Sequence, residues 1–475
     1  MWIGIAVLSL VGLSVRPLVG LAIVVGTATG LLVPWWLVQS GMDALFFLVA
    51  GFLWIPPLAG RLPVLEGLII GTLLIVVVLR TRTIPRLLRA PGAIYLGLLA
   101  LGAVVTFALN AGSSANLDGE LYVVVHSAFL PLLLYPLISG GVARGATYER
   151  LCVVLLVVGV LLLVGVVSYV PGMGWNPIER ITNVSRSARF QVPGYPDTGT
   201  AATMLSQFAS MLVPICCAVL ASPRSRSYRL FGLVSLLGLV PILFLLGTRF
   251  SWVSSFFGLF IFLILVARGW KRVAAVIGFG LVVLIVIVLT TAALRSGRLD
   301  VELTRRIESL TSVSTLAEEA SVERRLTLWG EAAALVAETP GGVGYLPFVA
   351  EHGYWSESTG VYRGHNTHNE FLLVGLGAGW VGLAALVLFL LTVLRWFLRR
   401  LKRGSAGSRY LAAAGLSLLA IFVTNAMFDT YSNNSGAFSS LPLFWLGLGL
   451  LVGSIRIREA SGSRESGGGT RYVRG

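Results

Sequence analysis

The sequence predicts an all-α polytopic membrane protein. Of its 475 residues, 56% are hydrophobic and only 12% charged, with a mean hydropathy of +0.86; soluble domains carry about 25% charged residues. Apolar runs long enough to cross a hydrocarbon core of ~30 Å recur from one end of the chain to the other. Lipid cannot satisfy a backbone N–H or C=O, so each such run must be helical.

Membrane spans are expected near residues 2–15, 18–38, 42–60, 62–79, 93–109, 121–139, 151–170, 200–221, 230–247, 250–267, 273–294, 371–394, 410–429 and 438–454, which gives about 12–14 transmembrane helices. The formal charge of +15 does not point to nucleic acid. The basic residues fall in short clusters between apolar runs, where they act as topology signals. Arg80, Arg82, Arg86 and Arg89 share one side with Arg224, Arg226 and Arg229, with Arg268, Lys271 and Arg272, and with Arg395, Arg399, Arg400, Lys402 and Arg403. By the positive-inside bias that side is cytoplasmic, and an even number of spans puts both termini there. The chain thus divides into N-terminal spans (1–294, with an outward loop at 171–199), an extracytoplasmic loop subdomain (295–370), C-terminal spans (371–455) and a disordered cytoplasmic tail (456–475) rich in Ser, Gly and Arg. Met1 leads almost directly into apolar sequence and the first basic residue, Arg16, follows it, the reverse of a cleavable signal peptide. Cys152, Cys216 and Cys217 lie within apolar runs and form neither a disulfide framework nor a metal motif.

The polar residues on the expected outward side carry the functional argument. Arg249 stands in LFLLGTRFSWVSSFF, with apolar sequence on both sides. An arginine at the edge of a span must be paired or in water, which makes it a candidate site residue or, alternatively, a snorkelling one. Arg180, Arg186 and Arg189 crowd one outward loop against the topological bias. Guanidinium groups take phosphate oxygens in a bidentate fork, so an anionic ligand would explain them, as would ion pairing with Glu179, Asp197 or lipid phosphate. The stretch at 318–338 reads as an amphipathic helix ending at Pro340. On it Arg325, four residues before Trp329, shares that residue's face, whereas Arg324 does not. Two of the four histidines, His365 and His368, stand three apart before a long apolar run. They could ligate a metal with a third residue such as His352 or Glu370, handle a proton, or belong to a polar cap with Asn369 as the N-cap.

Four segments in order resemble the O-antigen ligase and O-antigen polymerase superfamily. They are RFQVPGYPDTGTAA, the Gly247-Thr248-Arg249-Phe250-Ser251 turn, RLTLWGEAAALVAETPGGVGYLPF, and His368-Asn369-Glu370-Phe371-Leu372 followed by Gly379 and Gly382. The resemblance spans roughly residues 180 to 395. It departs from the family where no serine immediately precedes Arg249, where Asp197 follows Pro196, and where His365 adds a histidine. What it implies is a membrane glycosyltransferase with a C-type fold, metal-independent and inverting. Such an enzyme moves a glycan from an undecaprenyl-diphosphate carrier to a hydroxyl acceptor at the extracytoplasmic face of the cytoplasmic (inner) membrane, in surface polysaccharide or lipopolysaccharide assembly. By position, Arg249 and Arg325 match arginines that hold the donor diphosphate, Arg189 matches one in the preceding loop, and His368 matches the histidine that activates the acceptor or assists the diphosphate. Arg363, His365 and Asn369 join Arg189 as substrate-binding candidates around it. Cations on the developing charge, a base near the acceptor and a water-poor cleft would serve this reaction, so no metal and no cofactor is expected.

Ligase and polymerase differ in the acceptor, a lipid core or another lipid-linked repeat, and no feature of the sequence separates them; polymerase or general surface-polysaccharide assembly is slightly preferred. The rival from another class is a transporter or flippase of lipid-linked oligosaccharide, with Arg249 in a central pathway. The sequence lacks the Gly- or Pro-broken helices in matched halves that a transporter would show, and a transporter would not need a large outward loop bearing His and Arg. Clustering of Arg189, Arg249, Arg325 and His368 around one outward cleft would favour transfer instead.

Overall fold

The computed structural model describes residues 89–112, 123–139, 199–221, 226–246, 249–274, 276–281, 320–351, 354–356, 361–363, 367–428 and 441–467, with Glu120, Leu156 and Val288. The spans expected at 2–79 and most of those at 151–170 and 273–294, the loop at 171–199 with Arg189, and His365 lie outside these residues. Ten helices follow one another among the described residues: α1 Ala93–Asn110, α2 Leu130–Ser139, α3 Gly199–Leu220, α4 Arg226–Leu246, α5 Arg249–Val266, α6 Ala320–Glu338, α7 Pro347–Glu351, α8 Glu370–Arg403, α9 Ala406–Phe428 and α10 Leu441–Gly467. A π-helical turn, Val125–Phe129, leads into α2. α1, α8 and α9 are each long and apolar enough to cross a membrane, and α3 and α5 carry shorter apolar stretches. The chain is therefore an all-α polytopic membrane protein.

The one sheet among the described residues is a small hairpin, β1 Tyr354–Ser356 against β2 Val361–Arg363, antiparallel with Tyr354 opposite Arg363. It lies in the long loop, which the sequence divides as expected: α6 begins at Ala320 and ends at Glu338, just before Pro340, a residue that cannot extend a helix.

α9 is the centre of the bundle, packed by α5, α8, α10 and α3, while α1 lies along α8 and α2 along α10. The deepest core is aromatic. Phe422 of α9 stacks on Phe444 of α10 at 3.9 Å, and Trp445 meets Phe444, Phe389 and Tyr135 edge-on or tilted. The hydroxyl of Tyr135 donates to the Pro91 carbonyl at 2.8 Å, so even this buried phenol has a partner.

Two helices outrun their expected spans. α8 continues from the apolar stretch through Arg395, Arg399, Arg400, Lys402 and Arg403; these cations suit a helix C-terminus. The helix stops at Gly404, whose N–H returns to the Arg400 carbonyl. α10 runs to Gly467, so the residues after Ile457 begin as helix and not as a disordered tail. Arg456 donates from Nη1 to the Ser139 carbonyl at 3.1 Å, and Arg400 Nε pairs with Glu459 at 2.9 Å. These ties hold the helix beyond its apolar part.

Candidate functional site

Two of the predicted site residues, Arg325 and Asn369, meet at the C-terminus of α9. A helix leaves its last four carbonyls without intrahelical partners, and two of those on α9 are taken by side chains from far along the chain. Arg325 of α6 donates from Nη1 to the Phe428 carbonyl at 3.2 Å. Asn369, just before α8, donates from Nδ2 to the Met427 carbonyl at 3.2 Å. A guanidinium is well placed at the negative end of the helix dipole.

Aromatic rings surround the arginine. Phe250, the second residue of α5, lies flat on Phe428, 4.5 Å between centroids and 5° between planes. The Arg325 guanidinium carbon sits 5.1 Å from the Phe250 ring centre, within the range of a cation–π contact. Trp329 flanks Phe428 at 6.0 Å. Arg325 is half-buried and Arg324 exposed, the division required by the four-residue spacing to Trp329.

The residue before Asn369 has an unusual backbone. His368 adopts φ 48°, the left-handed region, and is the one non-glycine to do so among the described residues. Its neighbours over-determine that conformation. Fully buried Thr367 donates from Oγ1 to the Asn369 carbonyl at 2.9 Å and accepts the Asn369 N–H at 3.3 Å. Asn369 then caps α8, its Oδ1 accepting from Phe371 N at 3.0 Å and Leu372 N at 3.1 Å. With the Met427 bond, both ends of the Asn369 amide are engaged in structure. Glu370 is buried in the first turn of α8, where a carboxylate suits the helix N-terminus.

The glycine-rich stretch after α6 is locked into a break in α8. At Gly379 the backbone leaves the helical region, φ 65° and ψ −171°. The break frees the Leu376 carbonyl and the Trp380 N–H. The carbonyl accepts from Val343 N at 2.9 Å and Gly344 N at 3.1 Å, while Trp380 N donates to the Pro340 carbonyl at 3.0 Å. Irregular backbone at membrane depth is tolerated only when protein satisfies it in this way. A side chain at Gly379 would meet the Pro340 oxygen at 2.6 Å, and one at Gly342, φ 78°, the Leu376 oxygen at 2.5 Å. α1 completes the joint, Thr106 Oγ1 donating to the Gly341 carbonyl at 2.6 Å and Asn110 Nδ2 to the Gly342 carbonyl at 3.3 Å. Beyond the joint, buried Glu120 accepts from the Tyr345 N–H and from Leu346 N at 2.8 Å. Burial pushes its carboxyl above the ordinary range, and the two N–H bonds pull the other way.

Arg325, Asn369 with adjacent His368, and Phe250 with adjacent Arg249 are thus gathered at one end of α9. Arg249 is the first residue of α5, and Arg363 ends β2. Sequence reasoning did not single out Met427, Phe428 or Phe250. Two act through a ring or a carbonyl and have no charge to draw attention, and Met427 offers only its backbone. Glu120 stood at the edge of an expected span and could have been flagged as an acidic residue beside an apolar run.

A family model described as O-antigen ligase matches residues 233–387, about a third of the 475-residue chain. No curated protein matches. The matched segment takes in most of α4, all of α5 and α6, the glycine-rich joint, the His368-Asn369 turn and α8 past its break. Over this segment the chain is similar to the O-antigen ligase family.

Proposed function

We propose that the protein transfers a glycan from an undecaprenyl-diphosphate carrier to a hydroxyl acceptor at the outward face of the cytoplasmic membrane. The observation that carries this reading is the convergence of Arg325, the His368-Asn369 turn and the start of α5 on the C-terminus of α9, the first two on its last carbonyls and the third on the Phe428 ring. In the proposed reaction Arg249 and Arg325 take the diphosphate oxygens, with Arg189 and Arg363 as further cations. The acceptor oxygen attacks the anomeric carbon from the face opposite the carrier, so configuration inverts. The bond from that carbon to the phosphate oxygen breaks, and the carrier diphosphate leaves with the electron pair. His368 takes the proton of the attacking hydroxyl. The diphosphate is already a good leaving group, so fixed cations on its developing charge are the main requirement, and the reaction calls on no metal.

The strained backbone at His368 supports a functional place for it, because residues held in sparsely populated conformations cluster at sites where position matters. Asn369 serves here as the residue that holds the turn, and His365 is kept as a further substrate-binding candidate on its sequence position alone. A transporter would use a broken helix to present backbone groups to its substrate. In α8 the groups freed at Gly379 are already taken by residues 340–344, which favours a fixed scaffold over a moving gate.

The decisive experiment incubates purified protein in nanodiscs with undecaprenyl-diphosphate-linked repeat units, with and without a lipid-core acceptor. A ladder formed from donor alone identifies a polymerase, and transfer that depends on the core identifies a ligase. Absence of transfer in both, with uptake of donor into the lumen of proteoliposomes, would overturn the proposal in favour of transport.

A further inference from the structure

We propose that Phe250 and Phe428 are positioning residues that set the orientation of Arg325, and through it of the donor diphosphate; this rests on the transferase reading above. Arg325 projects from α6, whose other attachments lie further along the helix. Leu328, Ala332 and Val336 pack with Phe348 and Leu376 in a small separate cluster, and the Trp380 indole donates to the Val336 carbonyl at 2.6 Å. That cluster fixes the helix but not a long, rotamer-rich side chain near its start. Two of its contacts hold the side chain at this place: the Phe428 carbonyl at 3.2 Å and the Phe250 ring beneath the guanidinium.

The two aromatic residues do different work. Phe250 offers a π face to the cation, and its own orientation is set by parallel stacking on Phe428. Phe428 therefore acts twice, through its carbonyl on Arg325 directly and through its ring on Phe250. With Phe428 stacked on it and Arg325 over it, the Phe250 ring is occupied by the protein, which argues against use as a platform for a sugar. A guanidinium is a planar fork of N–H donors suited to phosphate oxygens, so its orientation matters to any diphosphate it meets. The Phe250 ring, 5.1 Å from the guanidinium carbon, restricts where that fork can sit. Phe250 follows Arg249 directly in sequence, so the same ring ties the opening of α5 to the arginine of α6.

The test combines kinetics with stability. With lipid-linked donor in nanodiscs, Phe250→Leu is expected to lower kcat by about tenfold with less than about a threefold change in donor KM, the pattern of a lost transition-state orientation. Phe250→Tyr, which restores a ring face, is expected to recover most of that loss. Phe428→Leu keeps the carbonyl and should fall between the two. Phe422→Leu, in the core stack, should lower the melting temperature and leave kcat unchanged. Independently of activity, thermal unfolding of Phe250→Leu, Arg325→Ala and the double variant should be non-additive by at least about 1 °C. Additive melting shifts would overturn the inference whatever the activity, as would Phe250→Leu at full kcat in an active protein. An inactive wild type would count against the transferase reading alone, leaving the clamp to be decided by the melting cycle.

Discussion

Arg325 and Phe428 stand 103 residues apart and are joined by a hydrogen bond of 3.2 Å from guanidinium to carbonyl. This bond attaches a helix of the long loop to the end of the most central membrane helix. The residue that caps α9 is thereby also a cation at the candidate donor site.

Replacing Arg325 therefore has two separable effects. Arg325→Ala should reduce glycan transfer by about 10²- to 10³-fold, the range seen when one preorganised donor to a developing charge is removed, with about 1 kcal/mol of stability lost from the cap. Arg325→Lys restores the charge but not the planar fork and should recover only part of the activity. Transfer assays beside melting curves separate the two effects, and equal losses in both would reduce Arg325 to a structural cap.

At His368 the backbone decides which substitution is informative. Asn accepts φ of +48° more readily than Ala, so His368→Asn should fold like the wild type and His368→Ala less well. Both should lose transfer by at least about 10²-fold if the imidazole takes the acceptor proton. Full activity in His368→Asn would remove His368 from the chemistry.

Chelation tests the other reading of the two histidines. Transfer should be unaffected by EDTA, because fixed arginines supply the positive charge. Inhibition reversed by zinc would instead make His365 and His368 a ligand pair.

Gly379→Ala should be among the most damaging single changes, at about 2 kcal/mol or more, since it combines a left-handed φ with an approach of 2.6 Å to the Pro340 oxygen. Gly97→Ala is the control: its added methyl meets nothing within 4 Å, and its stability should match or exceed that of the wild type. Thermal unfolding in detergent compares them directly.

Glu120 gives a pH dependence of defined sign. Its folded pKa lies above the ordinary 4.5 because burial outweighs the Tyr345 and Leu346 N–H bonds. The stability it contributes through protonation is full below 4.5 and is lost as pH rises through the folded value. Glu120→Gln should thus be less stable at every pH by about 1–3 kcal/mol, from the mispaired second donor. Its melting temperature should also lack the decline the wild type shows as pH rises from about 4.5 through the folded pKa. Parallel slopes for the two proteins would contradict the assignment.

The helices were legible in the sequence because apolar length and charge clusters are local signals. α1, α3, α4, α5 and α9 begin and end within a few residues of the expected spans, and Pro340 marks the end of α6. The helical start of the tail was not legible. It depends on Arg456 and Glu459 finding Ser139 and Arg400 across the fold, and composition alone reads such a segment as disordered. The charged members of the candidate site could be named from the cost of placing an arginine beside a membrane. Its apolar and backbone members could not: nothing in Phe250 or Phe428 alone distinguishes a ring that orients a cation from the other aromatic residues of the chain. The hairpin was missed because three-residue strands leave too short an alternation to register.

The break at Gly379 also bears on how such chains can be recombined. Residues 340–344 supply the hydrogen bonds that α8 lacks within itself, so the loop and the helix are two halves of one folding unit, separated in the sequence by α7 and the hairpin. A chimera that exchanges the loop but keeps its host's α8 would pair an unmatched edge with an unmatched notch. Exchange between such chains should accordingly move residues 340–344 and α8 together, so that the seam between them stays closed.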